Sequence, residues 1–126
     1  MYPSPKETIP GLKSVRGVWT GGGAAADCTH VATDWSRGIT SIVYTAATGC
    51  YTITFDECGP DLVDFSIRFG QQTGVDPITA TVRNGSFSAT TKSLVFEVNT
   101  AGTLTDLLTT DKLHIHAVFS TNKPDA

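Results

Sequence analysis

His114 and His116 sit two residues apart in a run whose alternate positions, Leu113, Ile115, Ala117 and Phe119, are apolar. On an extended chain residues i and i+2 share a face, so both imidazoles project away from the apolar side. Such a pair could offer two nitrogens to zinc, with Cys28 and His30 completing a set of four. No local spacing brings Cys28 and His30 to the last run, and two neutral histidines on a solvent or subunit face is the plainer reading. A metal-dependent hydrolase on His30, His114 and His116 is the enzymatic form of the same idea. Ser, His and Asp are all present, but no G-x-S-x-G elbow marks a nucleophile. Asp56, Glu57, Asp61 and Asp64 crowd around Cys58 and could ligate calcium or act as an acid–base pair; the Gly59-Pro60 turn accounts for them as a solvated loop. Gly21 to Gly23 lacks the lysine and helix of a phosphate loop. The expectation is a non-enzymatic chain, with no catalytic residue, cofactor or metal assigned.

Trp19, Trp35, Tyr44 and Tyr51 could build a flat platform for sugar rings, which would make the chain a carbohydrate-binding sandwich used in host attachment. With only two tryptophans in a β-rich chain, core or interface anchors are the competing use, and Trp19 and Trp35 are carried as candidate contacts with a partner. Tyr51 alternates in phase with Ile53 and Phe55 and is expected on the core side. Cys28, Cys50 and Cys58 are odd in number and form no CxxC, so they are read as reduced thiols; a Cys50–Cys58 bridge stays open for an oxidising setting.

These residues must be positioned by short strands. The chain has 126 residues, enough for one domain with its own core. Only 17% of residues are charged, and the net charge of -3 gives no overall electrostatic footprint for nucleic acid or an anionic membrane. No apolar run reaches the ~20 residues of a spanning helix, and the N-terminus does not read as a secretion signal. Period-two alternation recurs at Tyr51 to Phe55, Val63 to Phe69, Leu94 to Val98 and Leu113 to Phe119. Weaker runs are Arg16 to Thr20, Val31 to Trp35, Ile39 to Thr45, Ile78 to Arg83 and Ser86 to Thr90. Ala47-Thr48-Gly49, Gly59-Pro60 and above all Asn84-Gly85 supply turns between them. Leu104, Leu107 and Leu108 could make one or two helical turns. The fold class that follows is all-β, an antiparallel β-sandwich or open barrel of about eight strands. It occupies residues 15–122, between an extended arm over 1–14 and a short tail over 123–126. Pro3, Pro5 and Pro10 keep the arm out of regular structure, and Tyr2, Ile9 and Leu12 give it apolar groups to bury on a neighbouring chain.

The segment Gly49-Cys50-Tyr51-Thr52-Ile53-Thr54-Phe55, the acidic turn after it and Asp61-Leu62-Val63-Asp64-Phe65-Ser66-Ile67 resemble a strand–turn–strand pattern of small capsid decoration, or cement, proteins of tailed bacteriophages. The likeness continues at Asn99 to Asp106 and in the closing run Ile115 to Asn122, spanning roughly residues 15 to 122. It implies a virion structural protein on the outer capsid surface, made in the bacterial cytoplasm. It further implies clustering with itself, as a homotrimer, over junctions of the major capsid protein, and it brings no catalytic residues. The long loop with Cys28 and His30 and the proline-rich arm depart from the pattern. Tyr2, Pro3, Pro5, Ile9, Leu12, Trp19 and Trp35 are the residues expected to touch neighbouring subunits or capsid.

Overall fold

The computed structural model describes residues 11–45, 47–71, 78–83 and 85–120. Among them are nine strands: β1 (Leu12–Thr20), β2 (Ser36–Arg37), β3 (Ile39–Tyr44), β4 (Cys50–Phe55), β5 (Leu62–Gln71), β6 (Ile78–Val82), β7 (Ser93–Thr100), β8 (Thr103–Leu104) and β9 (Lys112–Ser120). They form two antiparallel sheets. Sheet A has the order β2-β1-β9-β5, and sheet B the order β3-β4-β7-β6 with β8 also on β7. The chain is therefore a sandwich rather than an open barrel.

Alternation puts one row from each strand into the space between the sheets. Tyr51, Ile53, Phe55, Leu94, Phe96, Leu113, Ala117 and Phe119 are all at most 1% exposed. Their rings interlock: Tyr51 stacks on Phe96 at 5.6 Å between centroids, and Phe55 meets Phe119 edge-on at 5.0 Å. Each such pair adds roughly 0.5–1.5 kcal/mol beyond the burial of its area. Trp19 is in this core too, with its indole N–H donating to Ser36 Oγ at 3.0 Å.

Several expectations need correction. The arm boundary shifts, because Leu12, Lys13 and Ser14 are strand residues that pair with Ser120, Phe119 and Val118. Val31 to Trp35 is no strand; Asp34 N closes a turn onto Val31 O at 2.8 Å. Ser86 to Thr90 is reduced to a single bridge between Ser88 and Ser93. There the Ser86 hydroxyl takes the place of the ladder, donating to Val95 O and accepting from Val95 N, both at 3.1 Å. The turn before it does form, with Ser86 N on Arg83 O and Gly85 at φ +72°, while Asn84 lies outside the described residues.

Val63, expected in phase with Phe65, Ile67 and Phe69, is 55% exposed. A bulge between Leu62 and Asp64 opposes an extra β5 residue to β9, so Leu62 rather than Val63 packs on the core. The segment from Thr103 to Lys112 contains no helical turn. Its N–H groups are drawn off by side chains, Leu107 N to Tyr51 Oη and Leu108 N to Asp111 Oδ2, both at 2.8 Å. Such side-chain acceptors compete with helix formation.

Candidate functional site

The strands of sheet A present a second, outward row. On β1 it is Ser14, Arg16, Val18 and Thr20; on β9 it includes His114 and His116; on β5 it includes Ser66 and Arg68. Register aligns them across the sheet, with Arg37 opposite Arg16, Arg16 opposite His116, and His116 opposite Ser66. One step along, Val18, His114 and Arg68 form the next row. Directly opposed residues in such a ladder have Cβ atoms about 4.5–5.5 Å apart. The His114 ring lies over β5 at Gly70, where a Cβ would come within 2.4 Å of Nε2, so the bare glycine backbone gives the imidazole its seat.

These residues line a groove of about 410 Å³. Trp35, 55% exposed, forms its rim and is tied to the sheet by its carbonyl, which accepts from Val18 N at 2.8 Å.

The electrostatics of this face are lopsided. Three of the four arginines and two of the three histidines of a chain with net charge -3 stand on one side of one sheet. The lysines of the same sheet have acidic partners, Lys13 with Glu57 at 3.0 Å and Lys112 with Asp34 at 2.8 Å. Arg16, Arg37 and Arg68 have no ion pair among the described residues. Like charges directly opposite on neighbouring strands cost stability, and Arg37–Arg16 is such a pair. His116 is held below its ordinary value of 6.5, first by partial burial and then by Arg16, against a smaller opposing pull from Asp64. It is neutral at neutral pH, which relieves the row that Arg16 crowds.

The other sequence candidates are dispersed. No group of three or more His, Cys, Asp or Glu side chains converges on a metal position among the described residues. His30 instead packs on Trp19, 5.4 Å between centroids, and its Nε2 hydrogen-bonds the Asp34 carbonyl at 2.8 Å. Cys28 is buried, and burial pushes its thiol up to about 12. Cys50 and Cys58 are free thiols. Cys50 opens β4 and Cys58 lies three residues past its far end, and the two sulfurs meet different partners, the Arg83 guanidinium at 3.2 Å and the Ala89 carbonyl at 4.0 Å.

The acidic cluster is pinned piecemeal: Asp56 accepts from Thr40 Oγ1, Glu57 pairs with Lys13, and Asp61 O accepts from Ser120 N at 3.0 Å. Of the aromatic platform, Trp19 and Tyr51 are in the core and half-buried Tyr44 packs edge-on against Tyr51 at 5.7 Å, which leaves Trp35 to face solvent on the outer side of sheet A. Trp19 therefore has almost no surface to offer a partner, against its expected role as a contact. Leu12 sits in β1, half-buried, while Tyr2, Pro3, Pro5 and Ile9 lie outside the described residues.

Three carboxylates that sequence reasoning passed over prove to be organising groups. Asp27 Oδ1 accepts from Tyr44 N; Asp106 accepts from Gly49 N and Ala25 N; Asp111 Oδ2 accepts from Leu108 N, at 2.8–3.0 Å. At one end of the sandwich Asp106 ties the loop over 105–111 to the loop over 21–30 and to the turn before β4, Asp27 ties the 21–30 loop to the end of β3, and Asp111 closes the 105–111 loop on itself. Each is a lone Asp in a Gly-, Ala- or Thr-rich loop, where such residues bind backbone, and that was the only signal available. The arginine row was equally invisible, because its members come from three distant segments. Comparison of the chain with protein-family models, with curated proteins and with solved structures finds no match.

Proposed function

We propose that this chain is a non-enzymatic virion structural protein that decorates a bacteriophage capsid and stabilises it by binding over junctions of the major capsid protein, as a homotrimer. What supports the reading, beside the strand and turn likeness, is the clamped end of the sandwich. There Val31 is 40% and Leu108 45% exposed; Leu108 N is held by Asp111 Oδ2, and Val31 O accepts from the N–H of Asp34, whose carboxylate is paired with Lys112. A rigid apolar tip loses little conformational freedom on docking, and that is what repeated binding to many equivalent sites requires. The arm residues Tyr2, Pro3, Pro5 and Ile9 would add a second point of attachment, raising effective concentration without enlarging the globular contact.

The test is direct. Purified protein is mixed with expanded empty heads of the phage that encodes it, and co-sedimentation and heat release of the shells are measured. Binding with increased shell resistance is expected, weakened by V31D and L108D at unchanged melting temperature of the free protein. Absence of binding to expanded heads refutes the proposal, and a monomeric solution mass refutes the trimer.

A further inference from the structure

The outer face of sheet A is chemically unlike the clamped end, and capsid docking does not account for it. Arg16 and Arg68 stand on opposite sides of β9, two strands apart, hence about 10 Å between their strands. Neither is in an ion pair among the described residues, and each guanidinium is a planar donor fork suited to a carboxylate. Between them on β9 lie His114 and His116, and Ser66 lines the same groove beside Arg68 on β5. Among the described residues two carboxylates border this face: Asp34, already paired with Lys112, and Asp64, diagonal to His116 and outside ion-pair distance of any arginine. A folded chain with a net negative charge that keeps Arg37 directly opposite Arg16, and Arg68 on the same face across β9, with no ion pair among the described residues accepts a stability cost, which an anionic ligand would reverse.

What kind of anion follows from the apolar part of the site. A protein partner needs an apolar centre to its interface, on a patch of roughly 800 Å² per side. Among the described residues the other large exposed hydrophobics, Val31, Val43, Val63, Leu104 and Leu108, are all outside this groove. Trp35 alone offers an apolar plane. One exposed indole at the rim of a shallow polar groove with two carboxylate forks matches a ligand that has flat C–H faces, many hydroxyls and spaced carboxylates. We propose that this groove binds a carboxylated polysaccharide, with Arg16 and Arg68 holding sugar carboxylates and Trp35 stacking on a ring.

The experiment is affinity electrophoresis of the full chain in gels containing polygalacturonate, dextran, poly-L-glutamate or single-stranded DNA at low salt. Polygalacturonate is expected to retard the protein, and dextran is not. Replacing both forks, R16Q with R68Q, should weaken retardation by about tenfold or more, as loss of charge-assisted contacts does. W35A should weaken it as well. R83Q is the control, since Arg83 is paired with Glu97 on the other sheet at 3.0 Å; it should leave retardation unchanged. Near-UV circular dichroism checks that each variant is folded, and the wild-type comparison of polymers stands even if one is not. The proposal is overturned by absence of retardation in polygalacturonate. It is equally overturned by equal retardation in poly-L-glutamate or DNA, by indifference to W35A, or by a loss in R83Q as large as in the double variant. All of these outcomes are independent of capsid docking.

Discussion

Tyr51 carries more than its ring. Its hydroxyl is buried and accepts the Leu107 N–H, so one side chain ties sheet B to the 105–111 loop. Replacing Tyr51 with Phe keeps the packing but strands a buried donor, a loss of about 1–3 kcal/mol. The urea midpoint should fall accordingly with the slope unchanged, and an unaltered midpoint would show that Leu107 N has another acceptor. His116 sets a pH dependence of the opposite kind to a salt-bridged histidine. Because its folded-state value is depressed, the unfolded chain takes up the proton first. Stability is unaffected above the ordinary value and declines as pH falls through about 6.5 toward the folded-state value. H116Q should lose this acid-side decline, measured as the difference in melting temperature between about pH 7.5 and about pH 5.5. The period-two pattern showed that both histidines leave the core, but the arginines on either side of them came into view only with the pairing of β1, β9 and β5.

At the scale of elements, the loop between β4 and β5 depends on one close approach. A Cβ on Gly59 would fall 1.4 Å from the Ser120 carbonyl oxygen, a backbone atom that no rotamer change can remove. G59A must therefore push the loop off the end of β9, which should cost roughly 1–3 kcal/mol, as overpacking does. Hydrogen exchange at Ser120 N, bonded to Asp61 O, should rise locally. Full protection there in G59A would mean that the loop accommodates the methyl group. The strands were legible wherever alternation ran unbroken, as in β4, β7 and β9. They were misread where a side chain or a bulge replaced the regular ladder. Ser86 substitutes its hydroxyl for main-chain pairing, and the bulge at Leu62/Asp64 turns Val63 outward. Neither event changes composition or period enough to be seen in a linear reading.

For the whole molecule, the order β2-β1-β9-β5 makes the first and last described long strands neighbours at the centre of sheet A. Their register, Leu12 with Ser120 through Thr20 with Lys112, closes almost the entire chain into one loop. Folding dominated by such distant pairings runs in milliseconds to seconds, and stopped-flow refolding should give a rate in that range. A chain truncated before Lys112 should not fold at all, since it loses Leu113, Ile115, Ala117 and Phe119 from the core together with the partner of both β1 and β5. A cooperative thermal transition in the truncated chain would refute this.

Low charge, hydroxyl-rich alternation and turn residues at short intervals were enough to establish an all-β chain and the inward rows of β4, β7 and β9, because side-chain periodicity is a local property of extended backbone. Which strands become neighbours, and hence that Arg16, Arg37, Arg68, His114 and His116 share a face while Trp19 turns into the core and Trp35 out of it, was decided by tertiary pairing alone. Register between distant segments has no local signature: it is chosen by which apolar rows fill one common interior, and the outward rows are assembled as its consequence.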